Sequence, residues 1–330
     1  MPPTSGARDA IPPLLLRAAN RQLAKLKPIS IRCQYRVNSI PWMEVVLSAD
    51  DQDPGNHDDE VDLCQPGNAF RVATESGSLL LDGLVTRLSR HTTASRSELT
   101  VIVRHPLQRL ASSHRSQVFQ QLSDAAIVSA ILNGHGVRTS GSSGLSIGHP
   151  QMVQFESSDW HFVLARLRAN GVWLIPLADS LRIGPPQLGA RADHVLRGAE
   201  RDAGDGTEID DASWRFDIAE LASGIELSGW DARQQKSASV KAEATPLGRD
   251  ALDPKRLQTL DAAVWSSARS TSLEPGEMAA LAKARLQDQH LACVTARFVV
   301  AGSLAYAPVT STDTRIDTLS TGERTRARGG

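Results

Sequence analysis

Polar and apolar positions change period several times along the chain, and each change predicts a different element. Ile29, Ile31, Cys33, Tyr35 and Val37 alternate with polar partners, the period-2 pattern of a half-buried strand. Glu44–Ser48, Phe70–Thr74, Leu79–Ser89 and Glu98–Val103 read as further strands, with Gly77-Ser78 and the Thr92–Ser97 cluster as turns between them. Strands at this spacing predict an antiparallel barrel or sandwich. Residues 1–27 read as a mobile arm with a short helix around Leu14–Leu26. Residues 50–62, acidic and carrying Pro54-Gly55, read as an exposed loop.

The period then becomes helical. In Leu122–Gly134, Ser123 is the cap, Ile127, Val128 and Ile131 form the buried face, and Asn133-Gly134 is the stop. A Gly/Ser loop follows at Ser140–Ser146. The next helix has Ser157 or Ser158 as cap and Asp159 in the first turn, where negative charge suits the helix dipole. Trp160, Val163, Leu164 and Leu167 form one apolar stripe, with His161, Arg166 and Arg168 off it. Gly171 ends the helix, since glycine takes the left-handed conformation without penalty. Residues 172–177 then read as a short strand, pairing across Ala178-Asp179 with Ser180–Ile183 as a hairpin. Residues 113–190 thus predict an α/β block, and residues 191–211 a polar linker.

Strands resume at Trp214–Ile218, Gly224–Trp230 and Ser237–Ala242, and residues 246–272 read as irregular. Pro275–Gln289 predicts a helix with Met278, Leu281 and Ala282 on one side. Val294–Val300 is a strand, and Arg315–Leu319 is a further candidate. No tandem repeat is present, but two β units flank the middle block.

Composition narrows the function classes. A chain of 330 residues has room for two or three domains, and 41% hydrophobic with 22% charged residues is ordinary for soluble protein. A net charge of −1 leaves no electrostatic footprint for nucleic acid, and 4% aromatic content argues against a base-stacking surface. Cys33, Cys64 and Cys293 lie far apart without metal-ligand spacing, as in a reduced cytoplasmic chain. No apolar run approaches the roughly 18 residues of a membrane span. Ile11–Leu16 is too short for a signal-peptide core.

Candidate chemistry is sparse. Gly144-Leu-Ser-Ile-Gly148 matches the G-x-S-x-G nucleophile elbow, which makes a serine hydrolase centred on Ser146 the competing reading. That motif needs a strand before the serine and a helix after it. Here a Ser/Gly loop precedes it and His149-Pro150 follows, so Ser146 reads as a loop residue. His57-Asp58-Asp59-Glu60 with Asp50, Asp51 and Asp53 could hold a hard cation, but the EF-hand spacing and glycine are missing, and a solvated acidic loop outweighs it. His91, His105, His114 and His135 show no zinc spacing. Glu44, Asp62 and Asp82 suggest no carboxylate pair. Catalytic residues, cofactors and metal ligands are therefore not expected.

The order of elements carries a resemblance. "RHPLQRLASSHRSQVFQQLSDAAIVSAIL" (104–132), "QFESSDWHFVLARLRANGVWLI" (154–175), "LSGWDARQQKSASVKA" (227–242) and the stretch from Glu277 to Asp317 resemble, in this order, segments of the VgrG spike and tailed-phage baseplate hub (late control gene D) family. No single one of these segments is catalytic. The resemblance spans roughly residues 28–320. It implies an α+β, mainly β fold: two related barrel-like tube domains with an α/β middle domain, assembling as a trimeric pseudo-hexameric torus.

On that pattern residues 1–27 are an N-terminal arm, 28–112 a first tube domain, 113–205 the middle domain and linker, and 206–330 a second tube domain with a helical insertion about 246–289. The implied protein is a non-enzymatic hub or spike base of a contractile injection system. Such a protein joins a hexameric (Hcp-like) tail tube to a trimeric spike and contacts baseplate wedge proteins. It binds no nucleic acid and has no stable membrane insertion. It assembles in the cytoplasm and then becomes part of an injection particle. Trp160, Phe162, Leu164, Leu167, Trp173 and Trp230 are then packing or interface residues.

Two features depart from the family. No OB-like domain or β-helix follows, which implies a separate spike protein or a shortened chain. The tail "GERTRARGG" (322–330) is not strand-like.

Overall fold

Alternating aliphatic positions shape the first sheet. The computed structural model describes residues 13–49, 58–75, 77–93, 97–186, 196–197, 207–219, 221–231, 234–245, 264–269, 273–300, 311–317 and 327–329. The first unit runs β1 (Leu14–Ala18), β2 (Arg21–Gln22), β3 (Lys27–Arg36), β4 (Trp42–Ala49), α1 (Asp58–Leu63), β5 (Ala69–Thr74), β6 (Leu79–Thr92) and β7 (Ser97–Arg104). Ile31, Met43, Val45, Leu47, Val72 and Val101 are fully buried on one face of this sheet. Gly83 lets β6 approach β7: a Cβ there would lie 2.4 Å from the Arg104 carbonyl oxygen.

The helix expected around Leu14–Leu26 is instead the β1–β2 hairpin. Leu14-Leu15-Leu16 has no period of its own, and pairing with β5 decides it: Leu16 lies opposite Val72 and is buried. Ala19 and Asn20, both at positive φ, make the two-residue turn. The acidic loop is also corrected where it is described. Asp58–Leu63 is helical, and Glu60, 5% exposed, accepts from the backbone N–H groups of Ala24 (2.8 Å), Lys25 (3.0 Å) and Leu26 (2.9 Å). Glu60 thus ties down the loop between β2 and β3. Asp50, Asp51, Asp53 and His57 of the same acidic stretch lie outside the described residues.

The middle block runs α2 (Gln108–Ser112), β8 (Arg115–Ser123), α3 (Asp124–Gly134), β9 (Thr139–Ser142), β10 (Gly148–Ser157), α4 (Asp159–Asn170), β11 (Trp173–Pro176) and β12 (Leu181–Gly184). β8 and β10 form an antiparallel ribbon with Val118 opposite Val153. β11 and β12 form the expected hairpin, and β9 adds to β12 in parallel. The long strands β8 and β10 escape a periodicity reading because most of their residues face solvent: on β8 only Phe119 is buried.

The last unit runs β13 (Leu196–Arg197), β14 (Thr207–Phe216), β15 (Gly224–Asp231), β16 (Lys236–Glu243), β17 (Val264–Arg269), α5 (Pro275–Ala292), β18 (Val294–Val300), β19 (Ser311–Asp317) and β20 (Ala327–Gly329). Four expectations change here. The linker already contains β13 and the start of β14. The irregular 246–272 stretch contains β17, parallel to β15, and its remaining residues lie outside the described ones. The tail contains β20, which pairs with Phe298–Val300 of β18. The candidate strand at 315–319 is β19, which crosses to the first unit and pairs with β3. The first sheet is therefore ordered β19-β3-β4-β7-β6-β5-β1-β2, all antiparallel, and among the described residues its ladder does not close on itself.

Each unit has its own core, and the third is small: Ala222, Ile225, Leu227, Ala282 and Leu286, where α5 packs on β15 and β16. The units are stitched together by hydrogen bonds of long sequence separation. Asn38 receives the Leu174 N–H at its side chain (2.8 Å) and donates its own N–H to the Leu174 carbonyl (2.8 Å). The Asp82 N–H reaches the Ala178 carbonyl at 2.9 Å.

Candidate assembly surface

α4 is the pivot of the molecule. Ser158, rather than Ser157, caps it by accepting from the His161 N–H (3.2 Å), and Gly171 ends it at φ 65°. Trp160, Phe162, Leu164 and Leu167 are all buried, and Phe162 stacks on Phe119 with ring centroids 5.7 Å apart. Asp159 and Arg166 are buried as well, so the helix is enclosed on more than the one stripe its sequence displays. The signal missed in the sequence is that Arg166, off the apolar stripe, has two acids waiting for it.

Two fully buried carboxylates, Asp124 and Asp159, each centre a cluster. Asp124, the first residue of α3, takes both Nε (2.7 Å) and Nη2 (3.1 Å) of Arg166, the His149 ring (2.9 Å) and the Asn170 amide (2.6 Å). Arg166 also reaches Glu277 of α5 at 2.6 Å. Burial by itself would lower the pKa of Arg166, but hydrogen bonds and charge from Asp124 and Glu277 reverse the sign and raise it. Asp159, the first residue of α4, takes Arg115 (2.6 Å), the His135 ring (2.7 Å) and the Gln154 amide (2.9 Å). Burial would raise its pKa, but hydrogen bonds from Gln154, His135 and Ser113 and the charge of Arg115 hold it below the usual carboxylate range. Both carboxylates are fully buried, although Arg115 is 45% exposed and Gln154 Oε1 is left without a partner, and each is tied up by several side chains, which suits a brace rather than a catalyst.

Ser146 is exposed, and its N–H donates to the Asn170 side chain at 3.2 Å. The loop after it enters strand β10, so no strand-to-helix elbow strains this serine. The nearby His149 is already committed to Asp124 and Arg166. A cavity of about 560 Å³ lies between this loop and α5, lined by Ser146, Asn170, Glu274 and Glu277 among others. Among the described residues no group of three His, Cys, Asp or Glu is placed to hold a metal ion. Nor is any described helix long and apolar enough to cross a membrane. All three cysteines are buried and outside any disulfide, and burial next to Glu60 pushes the pKa of the Cys64 thiol up to about 12.

The outside is more informative. Trp173 is half-buried, while Trp230 is 50% exposed on β15. The β8–β10 ribbon turns Val118, Val153 and Phe155 (72% exposed) outward. The β14–β18 ribbon leaves Trp214 and Phe216 64% and 65% exposed. The sequence shows the two strands of the second ribbon but not the exposure of their apolar residues, because exposed apolar residues look like core residues until the fold places them.

The fold is shared with tail proteins. The 43 kDa tail protein of prophage MuSo2 from Shewanella oneidensis superposes with a TM-score of 0.69 at 11% identity, over 96% of this chain and 98% of that one. The tail protein from Neisseria meningitidis MC58 gives 0.67 at 11% identity, over 96% and 95%. The E. coli c3393 protein, described as a type VI secretion component similar to the T4 tail proteins gp27 and gp5, gives 0.55 at 10% identity, over 95% and 75%. The resemblance read from the sequence thus holds at the level of fold. A comparison with curated proteins finds no match. The family model described as the Alg8 N-terminal domain matches residues 16–314, and the chain belongs to that family.

Proposed function

We propose that the protein is the hub or spike base of a contractile injection system, joining a hexameric tail tube to a trimeric spike. The observation that supports this most is the superposition on the Shewanella tail protein, which takes in nearly the whole of both chains. In this reading three copies surround a channel, and the two β units of each copy present six similar positions to an Hcp-like tube. The middle block lies outside as a brace and meets baseplate wedge proteins. Its rigidity comes from α4 and the clusters around Asp124 and Asp159. A particle component of this kind assembles in the cytoplasm and acts mechanically. Trp160, Phe162, Leu164 and Leu167 serve as packing, and Trp173 and Trp230 stand closer to the surface.

Native mass spectrometry of the purified chain, alone and with its cognate tube protein, tests the reading. Three copies that bind one tube hexamer are expected, with no labelling by a fluorophosphonate probe. A single copy that ignores the tube protein, or a probe adduct on Ser146, would refute it.

A further inference from the structure

The β14–β18 ribbon is divided by its register into two unlike faces. Ala212 lies opposite Phe298, Trp214 opposite Ala296, and Phe216 opposite Val294, so these six side chains share one side. All six are apolar. Trp214 meets Phe298 edge-on at 5.0 Å. The other side carries Ser213 opposite Arg297 and Arg215 opposite Thr295, and is polar. Residues 210–216 and 294–297 are all exposed. Over 213–216 and 294–297 the described ladder is two strands wide, because β13 meets β14 only at 207–208 and β20 meets β18 only at 298–300.

Such a ribbon is not self-sufficient. Two strands alone are marginal in water, and an apolar face is held only when something covers it. From the exposures of the four larger side chains, on the order of 400 Å² lies open. That is about half of the roughly 800 Å² that each partner contributes to a stable contact. We infer that this face seats on a second copy of the same chain and forms the core of the seam between neighbouring subunits. The inference rests on the hub reading and names the surface it uses. Every copy of the chain carries this open face, and another copy of the chain is the partner guaranteed in matching amount. The face carries no charge, so its counterpart is apolar too. The chain offers a second, different apolar strip on β8–β10 (Val118, Val153 and Phe155), and contacts between unlike patches are those that close rings.

The test compares the wild-type chain with Trp214→Arg/Phe216→Arg, using Trp265→Arg as a control on another exposed tryptophan, 46% exposed on β17. Native mass spectrometry is expected to give three copies for wild type and control and one copy for the double variant, with circular dichroism unchanged. A double variant that stays at three copies overturns the inference and leaves the hub reading standing. A wild-type chain that is monomeric overturns the inference, and if it also ignores the tube protein the hub reading falls separately. Should the double variant fail to fold, a photo-crosslinker at position 216 in mixed heavy- and light-isotope chains decides the matter. Adducts joining heavy to light copies support the seam. Adducts confined to one copy, or formed only with another protein, overturn it.

Discussion

Asp124 and Asp159 mark opposite ends of one antiparallel helix pair. Each follows a serine cap, opens its helix, is fully buried, and is bonded to an arginine and a histidine. Asp124 at the start of α3 grips Arg166 and Asn170 near the end of α4, while Asp159 at the start of α4 grips His135 just past the end of α3. The helices are therefore locked at both ends. Each carboxylate sits where the helix dipole favours it.

Arg166 is the member that links the Asp124 cluster to α5, through Glu277, 111 residues away. Arg166→Met is expected to lower unfolding free energy by about 3–5 kcal/mol, because it strands buried carboxylates. Glu277→Gln should cost less, about 1–2 kcal/mol, since an amide keeps one hydrogen bond. Urea titration measures both, and equal small losses below about 1 kcal/mol would remove the brace from the account.

His105 gives a pH dependence. It is completely buried, its Nδ1 accepts from the Leu107 N–H at 3.2 Å, and its Nε2 has no partner. Burial pushes its pKa down to about 4, against an ordinary value of 6.5. The unfolded chain then takes up this proton first. The contribution of His105 is complete above pH 6.5, shrinks as pH falls from 6.5 towards 4, and levels off below that. The gap corresponds to about 3 kcal/mol at most. Stability of His105→Leu should accordingly fall less than wild type between pH 6.5 and 4. Parallel curves for the two proteins would contradict the assignment.

Gly171 does two things at once. Its φ of 65° closes α4, and a Cβ there would press on Ala284 of α5 at 3.3 Å. Gly171→Ala should destabilise by at least about 1 kcal/mol from backbone strain, whereas Gly134→Ala, with nothing within 4 Å, should be nearly neutral. Thermal melts of the two variants separate the effects, and matching melting temperatures would disprove the close approach.

The packing residues should divide by burial. Leu167→Ala removes a fully buried side chain and is expected to cost about 2–5 kcal/mol. Trp230→Ala, at a half-exposed position, should change monomer stability by under about 0.5 kcal/mol. A large effect at Trp230 in dilute denaturant titrations would place it in a core this structure does not show.

Local chemistry by itself determined the two middle helices, the Ser123 cap, the Gly171 stop and the hairpin after it, because the signals lie within a few residues of one another, and it narrowed the second cap to Ser157 or Ser158. The alternating strands of the first unit are equally local in origin. Only the tertiary structure decided the rest. Leu14–Ala18 became a strand because β5 offered an open edge. The acidic Glu60 turned inward because three N–H groups faced it. β19 joined a sheet whose nearest strand, β3, begins at Lys27. Arg166 was buried because Asp124 and Glu277 converged on it. A periodicity records which side chains avoid water, but not which distant segment keeps the water away. The apolar faces of β14–β18 and the core of β3–β7 look alike along the chain for that reason, and they differ only once folding has covered one of them.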